Sequence, residues 1–144
     1  MAWKEESLSV TTDIDKFDFA AIHQYLSEVA YWSRGIAREK VERAARNSLA
    51  FGLFHEAEQI GFARVITDAT TFAYLSDVFI FPDWQGLGLG QWLMKCVLAH
   101  PDLQGLRRIM LLTADAHGLY EKFGFTSPAN PDMVMEIKNL DAFR

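Results

Sequence analysis

The segment of this 144-residue chain best suited to chemistry is Gln85-Gly86-Leu87-Gly88-Leu89-Gly90. Glycine at every second position permits unusual φ angles and lets backbone N–H groups approach a ligand without a Cβ in the way. The segment follows an apolar run that stops at Pro82-Asp83, and it opens a stretch with Leu89, Leu93, Cys96 and Val97 at helical spacing. A helix start adds unpaired N–H donors and a partial positive charge. Together these features make an anion site suited to a pyrophosphate, with a plain strand-to-helix turn as the alternative. Two common nucleotide-binding patterns do not fit. The Rossmann fingerprint needs G-x-G-x-x-G, whereas Gly86, Gly88 and Gly90 give G-x-G-x-G; a P-loop needs Gly-Lys-Ser/Thr, whereas Gly90 is followed by Gln91-Trp92.

The elements that must position this loop follow from the hydrophobic period. Leu8 to Thr12 reads as a short strand. Phe19, Ile22, Leu26 and Val29 then recur at spacings of three and four, the stripe of an amphipathic helix that Asp18 is placed to cap. Tyr31-Trp32-Ser33-Arg34-Gly35 breaks that pattern, and a second helix follows with Ala37, Val41, Ala44 and Ala45 on one side. The period changes after Asn47: Ser48 to His55, Gln59 to Ile66 and Phe72 to Phe81 read as three strands of an antiparallel meander. After the glycine loop and its helix come a strand at 108–113, a short helix at 116–123 closed by Gly124, and a last strand from Met133 to Ile137. The order is βααβββαβαβ, an α/β domain of three layers. The helical crossover between residues 72 and 113 makes those two strands parallel.

Composition narrows the function. Half of the residues are hydrophobic and 23% are charged, which describes a globular chain, with residues 1–144 read as a single domain. A net charge of −5 argues against a nucleic-acid binder relying on a broad basic face. The single cysteine, Cys96, excludes an internal disulfide and a cysteine-rich zinc site, and the four histidines show no metal-ligand spacing. No apolar stretch is long enough to span a membrane, and Met-Ala-Trp-Lys-Glu-Glu is not a signal-peptide core, so the expectation is a cytoplasmic protein.

Two blocks of the chain resemble the GNAT superfamily of N-acetyltransferases. Its acetyl-CoA signature, Gln/Arg-x-x-Gly-x-Gly/Ala after a strand, is matched by Gln85, Gly88 and Gly90. Leu119-Tyr120-Glu121-Lys122-Phe123-Gly124-Phe125 resembles a second block of the family, about 30 residues downstream as the family has it. The resemblance implies a strand at 72–81 splayed from its parallel neighbour, with the pantetheine arm of acetyl-CoA along Val78-Phe79-Ile80. It also implies a pyrophosphate held by backbone groups of Gly86, Leu87, Gly88, Leu89, Gly90 and Gln91.

The same resemblance assigns Tyr120 as the acid that protonates the leaving thiolate, a role for which a positioned phenol is chemically apt. Asp77 is the candidate base, or holds the acceptor ammonium, or is a structural polar residue. Ser76 stands where some relatives carry glutamate, and Thr113 stands where the family often has a cofactor-contacting asparagine. Trp32 and Arg34, between the first two helices, fall where the family builds its acceptor pocket, although Arg34 is equally suited to pairing with Asp18 or Glu28. The expectation is therefore acetyl transfer from acetyl-CoA to a small-molecule amine by direct attack, without a metal, nucleic acid or membrane, in a chain that could form a homodimer. The rival is a non-catalytic acyl-CoA-binding module on the same fold.

Overall fold

The computed structural model describes residues 5–143; part of the N-terminal hexapeptide read above lies outside them. Five strands form one sheet in the order β1-β2-β3-β4-β5, with β1 Leu8–Thr11, β2 Leu49–His55, β3 Glu58–Thr67, β4 Phe72–Ile80 and β5 Arg108–Leu111. The first four pair antiparallel, and β4 pairs parallel with β5 through the helical crossover, as expected. The helices are α1 Phe19–Gln24, α2 Arg38–Arg46, α3 Leu89–Leu98 and α4 His117–Glu121. Helix α1 runs on into a π-helical turn, Tyr25–Val29, which carries the chain toward the Tyr31-Trp32 loop.

Strand alternation builds the two cores of this three-layer arrangement. Phe51, Leu53, Ala63, Val65 and Leu75 face α3 and pack with its Leu89, Leu93, Met94 and Val97. Ala50, Phe62 and Phe79 face the other way, against Phe19, Ile22 and Leu26 of the first helical segment and Val41 and Ala45 of α2. Asp18 caps α1 by accepting from the Ala21 amide at 3.1 Å.

One irregularity in β4 governs the rest. Arg64 of β3 lies opposite Asp77, but the next residue, Val65, lies opposite Leu75, so Ser76 is an extra residue in the ladder. Such a bulge bends the strand, increases its twist and shifts the phase of the residues beyond it. Leu75 packs in the α3 core, and in a regular strand Asp77 would point the same way. The bulge turns Asp77 to the opposite face, in step with Phe79. Pairing between β4 and β5 runs from Phe72↔Arg108 to Leu75↔Leu111 and stops there, at the residue before the bulge. The splay that the family resemblance implies thus has a local cause.

One sequence-based expectation fails. Met133 to Ile137 is not a strand: a 3-10 turn spans Pro131–Met133, the described residues beyond it form no helix or strand, and β5 is left as a sheet edge. Alternating apolar residues signal strand propensity, but a strand forms only where a partner edge is within reach, and this chain holds the segment elsewhere. Downstream, Ala37 donates its amide to the Phe143 carbonyl at 3.2 Å, and Lys40 hydrogen bonds to the carbonyl of Ala142.

Removing a helix N-cap side chain costs about 1 kcal/mol. Asp18→Ala is therefore expected to lower unfolding free energy by about that amount in a denaturant titration. An unchanged midpoint would show that the α1 cap contributes nothing.

Candidate active site

Where β4 and β5 separate, a cleft of about 1380 Å³ opens between them. Its walls include Ser76 to Ile80 from β4, Leu112 to Ala116 from the segment after β5, Tyr120 from α4, and Gly86, Gly88 and Gly90 from the glycine loop. Tyr31 and Trp32 line it from the loop after the π turn, and Leu140 and Phe143 from the C-terminal segment.

The glycines divide into two kinds. Gly86 and Gly88 have φ of +79° and +78°, which side-chain-bearing residues rarely adopt, so the turn itself requires them. A valine at 88 would be strained whether or not anything binds. Gly90 has no positive φ, lies in the first turn of α3, and a Cβ there would meet no atom within 4 Å. The fold does not need glycine at 90, where a side chain would extend into open space. Gly88 is the N-cap of α3, no side chain caps the helix, and Trp92 is the first residue whose amide reaches back to Gly88, at 3.2 Å. The amides of Leu89, Gly90 and Gln91 thus open a ten-residue helix at the cleft, as donors for an anion. Gln85 secures the loop by donating to the Ile80 carbonyl at 2.8 Å, at the end of β4.

The bulge is pinned by a side chain that sequence reasoning missed. Arg64 Nε donates to Asp77 Oδ2 at 2.8 Å, one Nη to Ser76 Oγ at 2.7 Å and the other to Ser48 Oγ at 3.2 Å. Adjacent residues of a regular strand point to opposite faces, so a single guanidinium reaches both Ser76 and Asp77 only because of the bulge. The signal was present as an arginine inside the apolar run Ile60-Gly61-Phe62-Ala63-Arg64-Val65, since a charge at a buried strand position needs a partner. The other Asp77 oxygen accepts from Trp32 Nε1 at 2.8 Å. Asp77 is buried with a donor on each oxygen, and Trp32 is tied to β4.

The neighbouring Tyr31 ties the same loop to the opposite wall, its hydroxyl accepting from the Ala114 amide at 2.9 Å. The two rings meet edge to face, with centroids 5.1 Å apart. Tyr120 packs edge-on against Phe125, and burial pushes its phenol above the ordinary value, with smaller contributions from Tyr31 and Asp115. The phenol therefore keeps its proton throughout the neutral range.

The structure brings Tyr120, Asp77, Ser76, Val78, Phe79, Ile80, Gln85, Thr113 and Trp32 to one cleft together with Gly86, Gly88, Leu89 and Gly90. Leu87 packs its side chain against the α3 core, and Gln91 lines a separate, smaller recess with Trp92 and Lys95. Arg34 does not line the cleft. Its guanidinium donates to the Glu28 backbone carbonyl at 3.0 Å, closing the loop behind Trp32, and not to the carboxylate of Glu28 or Asp18. Among the described residues, no group of three or more His, Cys, Asp or Glu converges as a metal site would, and no helix is long and apolar enough to cross a membrane.

This cleft and sheet are those of a known class of transferase. The profile of the acetyltransferase (GNAT) family matches residues 19–125, and the chain belongs to that family. It is 34% identical to an acetyltransferase of Gibberella zeae, over 83% of this chain and 79% of that protein. A GNAT-family acetyltransferase of Xanthomonas campestris is similar in structure, with a TM-score of 0.91 at 47% identity over 94% of this chain and 96% of that one. A GNAT-family acetyltransferase of Elizabethkingia anophelis, solved with acetyl-CoA bound, shares the fold at a TM-score of 0.64 and 13% identity, over 85% of this chain and 78% of that one.

Breaking a largely buried ion pair leaves a charge without its partner and is strongly destabilising. Asp77→Asn is expected to cost about 2 kcal/mol or more. Combined with Arg64→Met in a double-mutant cycle, it should show a coupling energy of roughly 1 kcal/mol or more. Additive effects in thermal melts would show that the pair does not hold the bulge.

Proposed function

We propose that this protein transfers an acetyl group from acetyl-CoA to a primary amine by direct attack within the β4–β5 cleft. The observation that carries the reading is the end of β4–β5 pairing at the Ser76 bulge, in a cleft that also holds an uncapped helix start flanked by glycine. The β4 backbone from Val78 to Ile80, freed from β5, offers amides and carbonyls to the amide-bearing pantetheine arm. The amides that open α3 take the pyrophosphate, with Gly90 leaving room for it. That a protein of the same fold, from Elizabethkingia anophelis, binds acetyl-CoA supports the choice of cosubstrate.

Acetyl-CoA supplies an acetyl group activated as a thioester. The acceptor amine enters past Tyr31 and Trp32 and reacts as the neutral amine; its nitrogen forms the new C–N bond as the C–S bond breaks, and the surplus proton on that nitrogen passes to water. Tyr120 gives its phenolic proton to the departing sulfur and is reprotonated from solvent. Its raised pKa keeps that proton available at the pH where amines become nucleophilic. Asp77, with both oxygens already holding donors, acts as a positioning residue: it fixes Trp32 at the acceptor end and the bulge at the cofactor end.

Tyr120→Phe removes only the hydroxyl, so kcat should fall about 10²-fold or more while acetyl-CoA affinity stays near wild type. Because the phenol is lost only above its raised pKa, wild-type kcat should hold or rise through pH 9 as the amine deprotonates. A variant with full turnover, or a rate that falls between pH 7 and 9, would remove Tyr120 from the reaction.

The cofactor assignment is tested at Gly90. Gly90→Ala should retain acetyl-CoA binding and stabilise the helix by up to about 1 kcal/mol. Gly90→Leu, also a good helix former, should keep the fold yet weaken binding at least tenfold, about 1.4 kcal/mol. Equal affinities for both variants in calorimetry would place the pyrophosphate elsewhere.

A further inference from the structure

We infer that the acceptor is an amine with a second cationic group, a diamine in its simplest form, and that the Asp115 carboxylate holds the nitrogen that does not react. The inference rests on the acetyl-transfer reading above and names its substrate class. Asp115 lies on the cleft wall between β5 and α4, and among the described residues its carboxylate has no hydrogen bond or ion pair. Its backbone is nonetheless fixed from both sides. The Ala114 amide before it donates to the Tyr31 hydroxyl at 2.9 Å, and the Ala116 amide after it donates to Thr113 Oγ at 3.1 Å. An exposed acid in a fixed place on a cleft wall is set for a ligand and adds nothing to the fold.

The other charges of the cleft narrow what that wall can receive. Asp77 already accepts on both oxygens, from Arg64 and Trp32, and Lys40 hydrogen bonds to the Ala142 carbonyl. Asp115 and Lys138 are left. Lys138 sits on a long stem in a segment that forms no helix or strand, so fixing it on a ligand costs more side-chain entropy than fixing Asp115. Burial does most to raise the phenols of Tyr25 and Tyr120, and the Asp115 charge raises both further, so that charge is felt from the π turn to α4. The reacting nitrogen must be neutral to attack, and a carboxylate beside it would favour its protonated form. Asp115 therefore suits a second nitrogen of the same molecule. Tyr31 and Trp32, 50% and 36% exposed along the same cleft, offer aromatic surface to a cation and cover for the methylenes between the nitrogens. A net charge of −5 favours the approach of such a cation.

Three probes of matched length test this: 1,5-diaminopentane, 5-amino-1-pentanol and 5-aminopentanoate, whose far groups are positive, neutral and negative. Calorimetry on the protein saturated with CoA reads their binding, and acetyl-CoA consumption reads their kcat/KM. Wild type should favour the diamine over the amino alcohol by about tenfold or more in both readouts, with the aminopentanoate last. Asp115→Asn removes the charge of a side chain without a partner, so it should keep the melting temperature and bring the ratio of diamine to amino alcohol close to one. Equal or absent binding of the three by wild type, a preference for 5-aminopentanoate, or a diamine preference that survives Asp115→Asn would overturn the proposal. Diamine binding that depends on Asp115, with no acetyl-CoA consumed on any probe, would support the cation site and count against the acetyl-transfer reading alone.

Discussion

The contact of the Arg64 guanidinium with Ser76 and Asp77 is the constraint on which the site depends. A largely buried arginine needs acceptors on its donors, and three hydroxyl and carboxylate side chains supply them. Two of those acceptors are consecutive residues of one strand, and only a strand with an extra residue can turn both to the same side. The electrostatics of one side chain therefore fix a backbone irregularity, and the irregularity ends the pairing of β4 with β5.

Several features follow from that bend. Phe79 and Asp77 come to face the α1–α2 layer, which lets Trp32 reach the carboxylate and fixes the loop that rims one end of the cleft. The separated half of β4 leads through Gln85, tied back to Ile80, into the glycine loop and the start of α3. On the far wall, Tyr31 joins the same rim to the chain after β5, near Tyr120. The cleft is thus braced across its width by two adjacent aromatic side chains, each hydrogen bonded to a different wall.

Much of this was legible in the chain itself. The periods of three and a half and of two gave the helices and the first four strands, because those elements bury one face against a core. The glycine loop and the Leu-Tyr-Glu-Lys block gave the family. Arg64 was not found, because its meaning lies in a partner 13 positions away that the bulge brings into register. The partner of Arg34 was not legible for the opposite reason: the Glu28 carbonyl is a backbone atom that no residue-type pattern displays. Met133 to Ile137 has a strand's alternation without a strand's partner, since pattern reports what a segment can bury and does not fix where the chain carries it.

Amide hydrogen exchange with and without acetyl-CoA tests the central claim most directly. Protection gained on binding should concentrate at the amides of Gly88 to Gln91 and of Val78 to Ile80, with Leu8 to Thr11 on the distant edge of the sheet unchanged. Binding that leaves those amides exchanging at their free rates, or that protects a different surface, would contradict the placement of the cofactor in the cleft that the Arg64-pinned bulge opens.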